Sequence, residues 1–375
     1  KVTLNEYGYH LVQNFVQNEE VTELILLSDE TKENKQLDFQ NKEKIRVESC
    51  WRFNSYRSFF RILYRVHKTK PDCVLFNLQF VKFGDKKIPS AMGLLTPMFL
   101  RLMGYKTIVL LHNILEQVDL EKAGFTNNKI LISIYNFIGS NLTRCLLRAN
   151  RVAVTIHKYK EILEDKYKTK RVILIPHGTF ETIKEPNFDK KTAPLQIMAF
   201  GKFGTYKKVE ILIEAVEKIR KNHPEELVVV IAGTDSPNTP GYLESVQKKY
   251  QHIKGNIFTG YVKENDVERI FTESSIVVFP YTSTTGSSGV LHQAGSYGKA
   301  VIMPDLGDLA LLVKDEGYKG EFFIPDNVDS LASAIQNILL DDAYRKNIAI
   351  ANFNAANALT MDKIVAMYLK AFHTI

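Results

Sequence analysis

Short apolar runs recur along the whole chain and alternate with stretches in which apolar residues return every three to four positions. The runs have strand length and the longer stretches helical periodicity. In the first half the pattern predicts strands at 23–27, 45–50, 73–77, 107–112, 151–155 and 172–176, with helices between them. After residue 194 it resumes with the run Leu195 to Phe200, and later with strands at 276–280 and 300–302. Alternation of this kind predicts an α/β protein with parallel sheets covered by helices on both faces. The polar segment 184–194, bounded by Pro186 and Pro194, reads as a linker between two halves. Residues 5–12 read as the first helix of a doubly wound sheet, which should open with a strand, so residues of the natural start are expected to be absent.

Two loops carry the candidate chemistry. Gly201-Lys202-Phe203-Gly204-Thr205-Tyr206-Lys207 lies between a strand and the helical stretch 209–216. Glycine there lets backbone N–H groups approach a ligand, and Lys202 and Lys207, five apart, can neutralise a diphosphate from different sides. The second loop, Thr285-Gly286-Ser287-Ser288-Gly289, follows a strand and leads into a helix opening near Val290. The N–H groups of Ser287, Ser288, Gly289 and Val290 and the helix dipole can converge on one anion. Together the loops predict a pocket for a nucleotide diphosphate attached to a sugar.

From Leu195 onward the chain resembles the retaining GT-B glycosyltransferases of family GT4, the glycosyl transferases group 1. Gly201, Lys202 and Lys207 stand at the Gly, Arg and Lys of that family's Gly-Arg-Leu-x-x-x-Lys-Gly pattern. Thr285, Gln293 and Ala294 stand at its Glu-x7-Glu-Ala, and 298–302 match the Gly-Lys-Pro-Val-Val that follows. Further agreements are Ile231-Ala232-Gly233 and Phe258-Thr259-Gly260-Tyr261-Val262. The resemblance implies two Rossmann-like doubly wound parallel-sheet domains facing across a cleft: an acceptor-side domain at 1–185, a nucleotide-sugar domain at 195–358, and a helix at 359–375 crossing back to the first. It implies a hexosyltransferase-type enzyme that moves a sugar to a sugar or lipid-linked acceptor, with no metal and no cofactor, in cell-surface polysaccharide or glycolipid synthesis. The ribose would meet Gln293, and the base would lie near Tyr261 and Val262. Thr285 and Gln293 remove the family's two carboxylates, and Lys202 gives up bidentate phosphate geometry for a point charge. A catalytically silent nucleotide-sugar binder and a GT-B-like nucleotide-sugar epimerase are the alternatives.

In the first half, His112 ends a predicted strand, where ligands of open parallel sheets sit. The resemblance places a histidine here near the donor sugar and acceptor, so Lys202, Lys207 and His112 are the catalytic candidates. His157 and His177 follow strands too but read as structural, as do His10 and His292.

Composition narrows the setting. Three widely spaced cysteines argue against a disulfide framework and for a reducing cytosol. The net charge of +7 is uneven, with +9 in residues 1–186 and −2 in 187–375. A basic first half suits anionic lipid or a phosphate-bearing acceptor; nucleic acid is disfavoured because no zinc-finger, homeodomain or RNP signature is present. Residues 44–70 hold eight basic residues against the single acid Glu48, and within them 55–68 forms an amphipathic helix pattern. That window is the expected contact with an anionic membrane, the alternative being an ordinary solvated face, and 91–103, unusually apolar, suits a lipid-linked acceptor or core packing. The expected location is cytoplasmic, peripheral at the inner face of the plasma membrane.

Overall fold

The computed structural model describes residues 6–30, 39–78, 82–117, 129–180, 184–189, 194–222, 226–283 and 288–375, the side chains of 117, 129, 130 and 308 excepted. The chain divides into two compact units, one made of Lys1–Phe180 with Met361–Ile375, the other of Glu181–Thr360.

The first unit runs α1 (Glu6–Gln17), β1 (Leu24–Asp29), β2 (Ile45–Trp51), α2 (Arg57–Thr69), β3 (Cys73–Leu78), α3 (Lys87–Leu102), β4 (Lys106–Leu111), α4 (Lys129–Leu146), β5 (Arg151–Val154), α5 (His157–Tyr167) and β6 (Val172–Leu174), and takes in the last helix, α13 (Met361–His373). Strands β3-β4-β5-β6 form one parallel sheet, and β4, buried from Thr107 to Leu111, reads as an unbroken apolar run because helices cover both faces. Tyr7, Leu11 and Phe15 recur at helical spacing on α1 and pack with Ile364, Tyr368 and Phe372 of α13 over Ile108 and Leu110. Instead of joining a single sheet, β1 and β2 pair with each other in a separate two-stranded parallel sheet. Leu24 of β1 and Leu75 of β3 nevertheless pack on the same core cluster, so burial unites what hydrogen bonding does not.

The second unit is β7 (Leu195–Phe203), α6 (Glu210–Arg220), β8 (Leu227–Asp235), α7 (Tyr242–Lys249), β9 (Asn256–Gly260), α8 (Glu264–Glu273), β10 (Ile276–Val278), α9 (Gly289–Ser296), β11 (Ala300–Pro304), α10 (Gly307–Glu316), β12 (Glu321–Phe323), α11 (Val328–Leu340) and α12 (Asp342–Ala358). Its six strands form one sheet in the order β12-β11-β10-β7-β8-β9, every pair parallel. The chain winds outward from β7 through β8 to β9, then returns to β10 on the other side of β7. The order therefore reverses between β7 and β10, the position where open α/β sheets bind ligands at their carboxyl edge. The loop after β7 and the segment 279–283 after β10 leave that edge, and α9 opens at Gly289.

Candidate active site

At the carboxyl edge of the second sheet three glycines stand on adjacent strands, Gly201 facing Gly233 and Gly233 facing Gly260. All have positive φ, of 135°, 142° and 67°, a region open to glycine at little cost. A Cβ on Gly233 would lie 1.8 Å from the Gly201 carbonyl oxygen, so close approach of the two strands also demands its absence. The result is a shelf of bare backbone at the switch point.

Lys207 reaches over this shelf. The 204–208 loop is pinned to the segment after β10 by hydrogen bonds from the Lys208 amide to the Pro280 carbonyl (3.0 Å) and from the Thr282 amide to the Tyr206 carbonyl (2.8 Å). The lysine Nζ lies 4.6 Å from the Tyr281 ring centroid and 5.8 Å from that of Tyr206, and a Cβ on Gly201 would meet it at 3.2 Å. Burial lowers its pKa, opposed by Tyr206. Among the described residues no carboxylate pairs with it, so its partners are π faces, which attract a cation without neutralising it. Lys202, one residue past Gly201, is exposed.

Next to this lysine, burial raises the Tyr281 phenol above its ordinary range, opposed by neighbouring Ser288. Ser288 is the N-cap of α9 in extended conformation, and its side chain caps no amide. The Leu291 amide bonds back to the Ser288 carbonyl, which leaves the amides of Gly289 and Val290 as first-turn donors without intrahelical partners. A cation and a helix N-terminus thus meet through Tyr281, an arrangement suited to a phosphate group. Gln293, one turn on, is half-buried; Tyr261 at the end of β9 is 78% exposed, with Val262 half-buried beside it. Thr285, Gly286 and Ser287 lie outside the described residues.

In the first unit His112 follows β4 at the carboxyl edge, half-buried, with Nε2 2.7 Å from Asn77 Oδ1 on neighbouring β3. Tyr7 meets it edge-on at 4.8 Å between centroids, and His177 lies 6.2 Å away. Burial, and then the neighbouring His177, push the His112 pKa down to about 3. Burial holds His177 at about 4, opposed by its Nδ1 hydrogen bond to the Gly178 carbonyl (3.1 Å). Both imidazoles are neutral near pH 7. Sequence reasoning passed over Tyr7 and Asn77 and read His177 as structural; the strand-end position of Asn77 and His177 was the available signal. His157 is exposed and pairs with Glu161, His10 stacks on Phe180, and buried His292 meets the Tyr318 hydroxyl at 2.9 Å.

The basic window differs from its sequence reading. Arg46 pairs with Glu23 and Glu48, Arg52 and Arg61 with Glu30, and Arg65 with Glu48. Glu23 and Glu30 come from around β1, outside the window, so half of its cations are already engaged. Among the described residues, no helix is long and apolar enough to cross a membrane.

Residues 194–341 match the glycosyl transferases group 1 family. An uncharacterized glycosyltransferase of Methanocaldococcus jannaschii is 27% identical over 153 residues, which take in 40% of this chain and 37% of that protein. A glycosyltransferase from Rickettsia africae is similar in structure with TM-score 0.70 and 15% identity, over 99% of this chain and 95% of that one. Sucrose-phosphate synthase from Thermosynechococcus elongatus gives 0.67 and 16% over 93% and 88%. Anabaena HepE in complex with UDP gives 0.65 and 13% over 100% and 98%. The chain therefore has the GT-B fold, and its second unit is a glycosyl transferases group 1 domain.

Proposed function

We propose that the chain is a GT4-type retaining hexosyltransferase, moving a sugar from a nucleotide-diphosphate sugar to an acceptor hydroxyl. The observation that carries this is Lys207, a half-buried cation without a carboxylate partner among the described residues, set on the face of Tyr281, whose buried ring neighbours the α9 N-cap Ser288. The bond from the anomeric carbon to the β-phosphate oxygen breaks, and its electron pair stays on that oxygen. Lys207 and the amides of Gly289 and Val290 stabilise the growing charge, the kind of preorganised contribution that lowers barriers most. The acceptor hydroxyl attacks from the same face and passes its proton to the departing phosphate. Gln293 hydrogen-bonds the ribose, and Tyr261 and Val262 take the base. By resemblance His112 acts at the reacting sugar; as a neutral imidazole held by Asn77, it offers a hydrogen bond and no charge.

HepE has been solved with UDP-glucose, which makes a uridine donor the first to try. Thermal shift against UDP-, GDP-, ADP- and dTDP-sugars, followed by release of nucleotide diphosphate on adding acceptor, tests the reading. A donor at a hundred times its Kd should stabilise by roughly 2.7 kcal/mol. Stabilisation with no turnover would favour the silent binder, and absence of any shift would remove the donor site.

A lipid-linked acceptor and an anionic membrane belong to the same proposal, but the face that suits them is α3 with α4. On α3, Ile88, Met92, Leu95, Phe99 and Leu102 recur at spacings of four and three, and the end residues are 64% and 74% exposed. Exposed Ile134, Phe137 and Ile138 add an apolar stripe on α4, which packs beside α3. Neither helix contains an aspartate or glutamate, which favours an anionic bilayer as the surface met.

A further inference from the structure

A concavity of about 580 Å³ opens in the first unit where the α4–β5 and α5–β6 turns meet. These turns enter the amino ends of β5 and β6, at the opposite edge of the sheet from His112. Arg144, Arg151, Lys168, Lys170 and Arg171 line it, and no lining residue is acidic.

The arrangement is electrostatically costly. The Val152 amide bonds to the Arg171 carbonyl at 2.9 Å, and Val152 is in register with Val172. Arg151 and Arg171 are thus neighbours at the starts of adjacent strands, where like charges repel. Both are half-buried, and Arg101 and Arg151 add to the burial that lowers the Arg171 pKa. Among the described residues no carboxylate pairs with any of the five cations. Glu116, which reaches this region, is taken by the Tyr167 hydroxyl (2.5 Å) and Lys166 (3.5 Å). Arg144 stands over the Tyr167 ring at 5.5 Å and donates to Asn141 Oδ1, so it is held in place without being neutralised.

Guanidinium forks crowded around a concavity match the oxygens of a phosphate group, which they bind bidentately. We propose that this pocket binds a phosphate or diphosphate group, separate from the donor site of the second unit. The inference rests on no part of the transferase reading. A free phosphorylated ligand and a phospholipid headgroup present the same chemistry, and the experiment separates them.

Calorimetry with inorganic pyrophosphate on the Lys207→Ala chain sets the donor site aside. Binding should persist, weaken as salt rises, and fall at least tenfold in Lys207→Ala/Arg151→Gln/Arg171→Gln protein. If those strand-start changes perturb folding, as judged by thermal melting, Lys168→Gln/Lys170→Gln on the exposed turn should weaken binding several-fold. Sedimentation with phosphatidate vesicles forms the second arm; loss of binding in the arginine variant, with competition by pyrophosphate, assigns the headgroup as the source. Failure of both pyrophosphate and phosphatidate to bind, or binding indifferent to all four substitutions, would overturn the proposal. A loss of pyrophosphate binding from Lys207→Ala alone would do the same, by placing the anion in the second unit.

Discussion

The Lys207 ammonium stands 4.6 Å from the centre of the Tyr281 ring, and the two residues also form an isolated antiparallel bridge. The pairing joins the loop after β7 to the segment after β10 across the switch point. It keeps a cation over the glycine shelf without spending its charge on a carboxylate, so the charge remains available to an anion.

Lys207→Ala should therefore raise KM for the donor and lower kcat, losing about 2–4 kcal/mol of transition-state stabilisation if the lysine contacts the leaving diphosphate. Lys208→Ala, an exposed neighbour, should change little. Steady-state kinetics on both variants decides it, and normal kinetics for Lys207→Ala would take this residue out of the mechanism.

The glycine shelf makes a separate claim about stability. Gly233→Ala places a Cβ 1.8 Å from the Gly201 carbonyl oxygen at a φ of 142°, whereas a Cβ on Gly260, at 67°, meets nothing within 4 Å. Gly260→Ala should cost about 1–2 kcal/mol, the usual left-handed penalty. Gly233→Ala should cost clearly more, since the backbone of two strands must part. Urea denaturation of both variants measures the difference; equal losses would mean that strand contact is not what requires glycine at 233.

Much of the second unit was legible in the sequence because its signals are local. β7, β10 and β11 are apolar runs at 195–200, 276–280 and 300–302, and periodicity reads such features directly. The separation of β1 and β2 from the larger sheet was not legible, since pairing depends on which edges meet and not on the strands' own residues. The ion pairs of the basic window were not legible for a similar reason: Glu30 pairs with Arg52 and Arg61 from more than twenty positions away. The packing of Tyr7 and His177 on His112 is also tertiary, joining α1 to the ends of β4 and β6. Their roles could not be read from spacing.

Acid should expose that aromatic cluster. Imidazole titrates near 6.5 in an unfolded chain, whereas the folded values are about 3 for His112 and about 4 for His177. The unfolded chain thus binds more protons below about pH 6.5, and the stability present above that pH is lost as pH falls toward each folded value. Each group contributes a slope of roughly 1.4 kcal/mol per pH unit in that window. Urea melts of wild type, His112→Asn and His177→Asn between pH 4.5 and 7.5 should show a shallower dependence in both variants. An unchanged slope would mean that these imidazoles take up protons freely in the native state.

Membrane contact, if α3 and α4 make it, should depend on their exposed apolar side chains more than on the paired arginines of α2. Leu102 and Phe137 are 74% and 69% exposed, so Leu102→Ser/Phe137→Ser should leave folding intact and weaken sedimentation with anionic vesicles about tenfold. Arg61→Gln/Arg65→Gln removes charges already balanced by Glu30 and Glu48 and should weaken it less than threefold. Salt should reduce binding only in part, because it screens charge within a Debye length of about 10 Å at 0.1 M and leaves apolar insertion untouched. Binding lost entirely in salt, or through the arginine pair alone, would return the contact to residues 44–70. Concentration-dependent dimerisation abolished by Leu102→Ser/Phe137→Ser, without vesicle binding, would make the face an interface between copies of this chain.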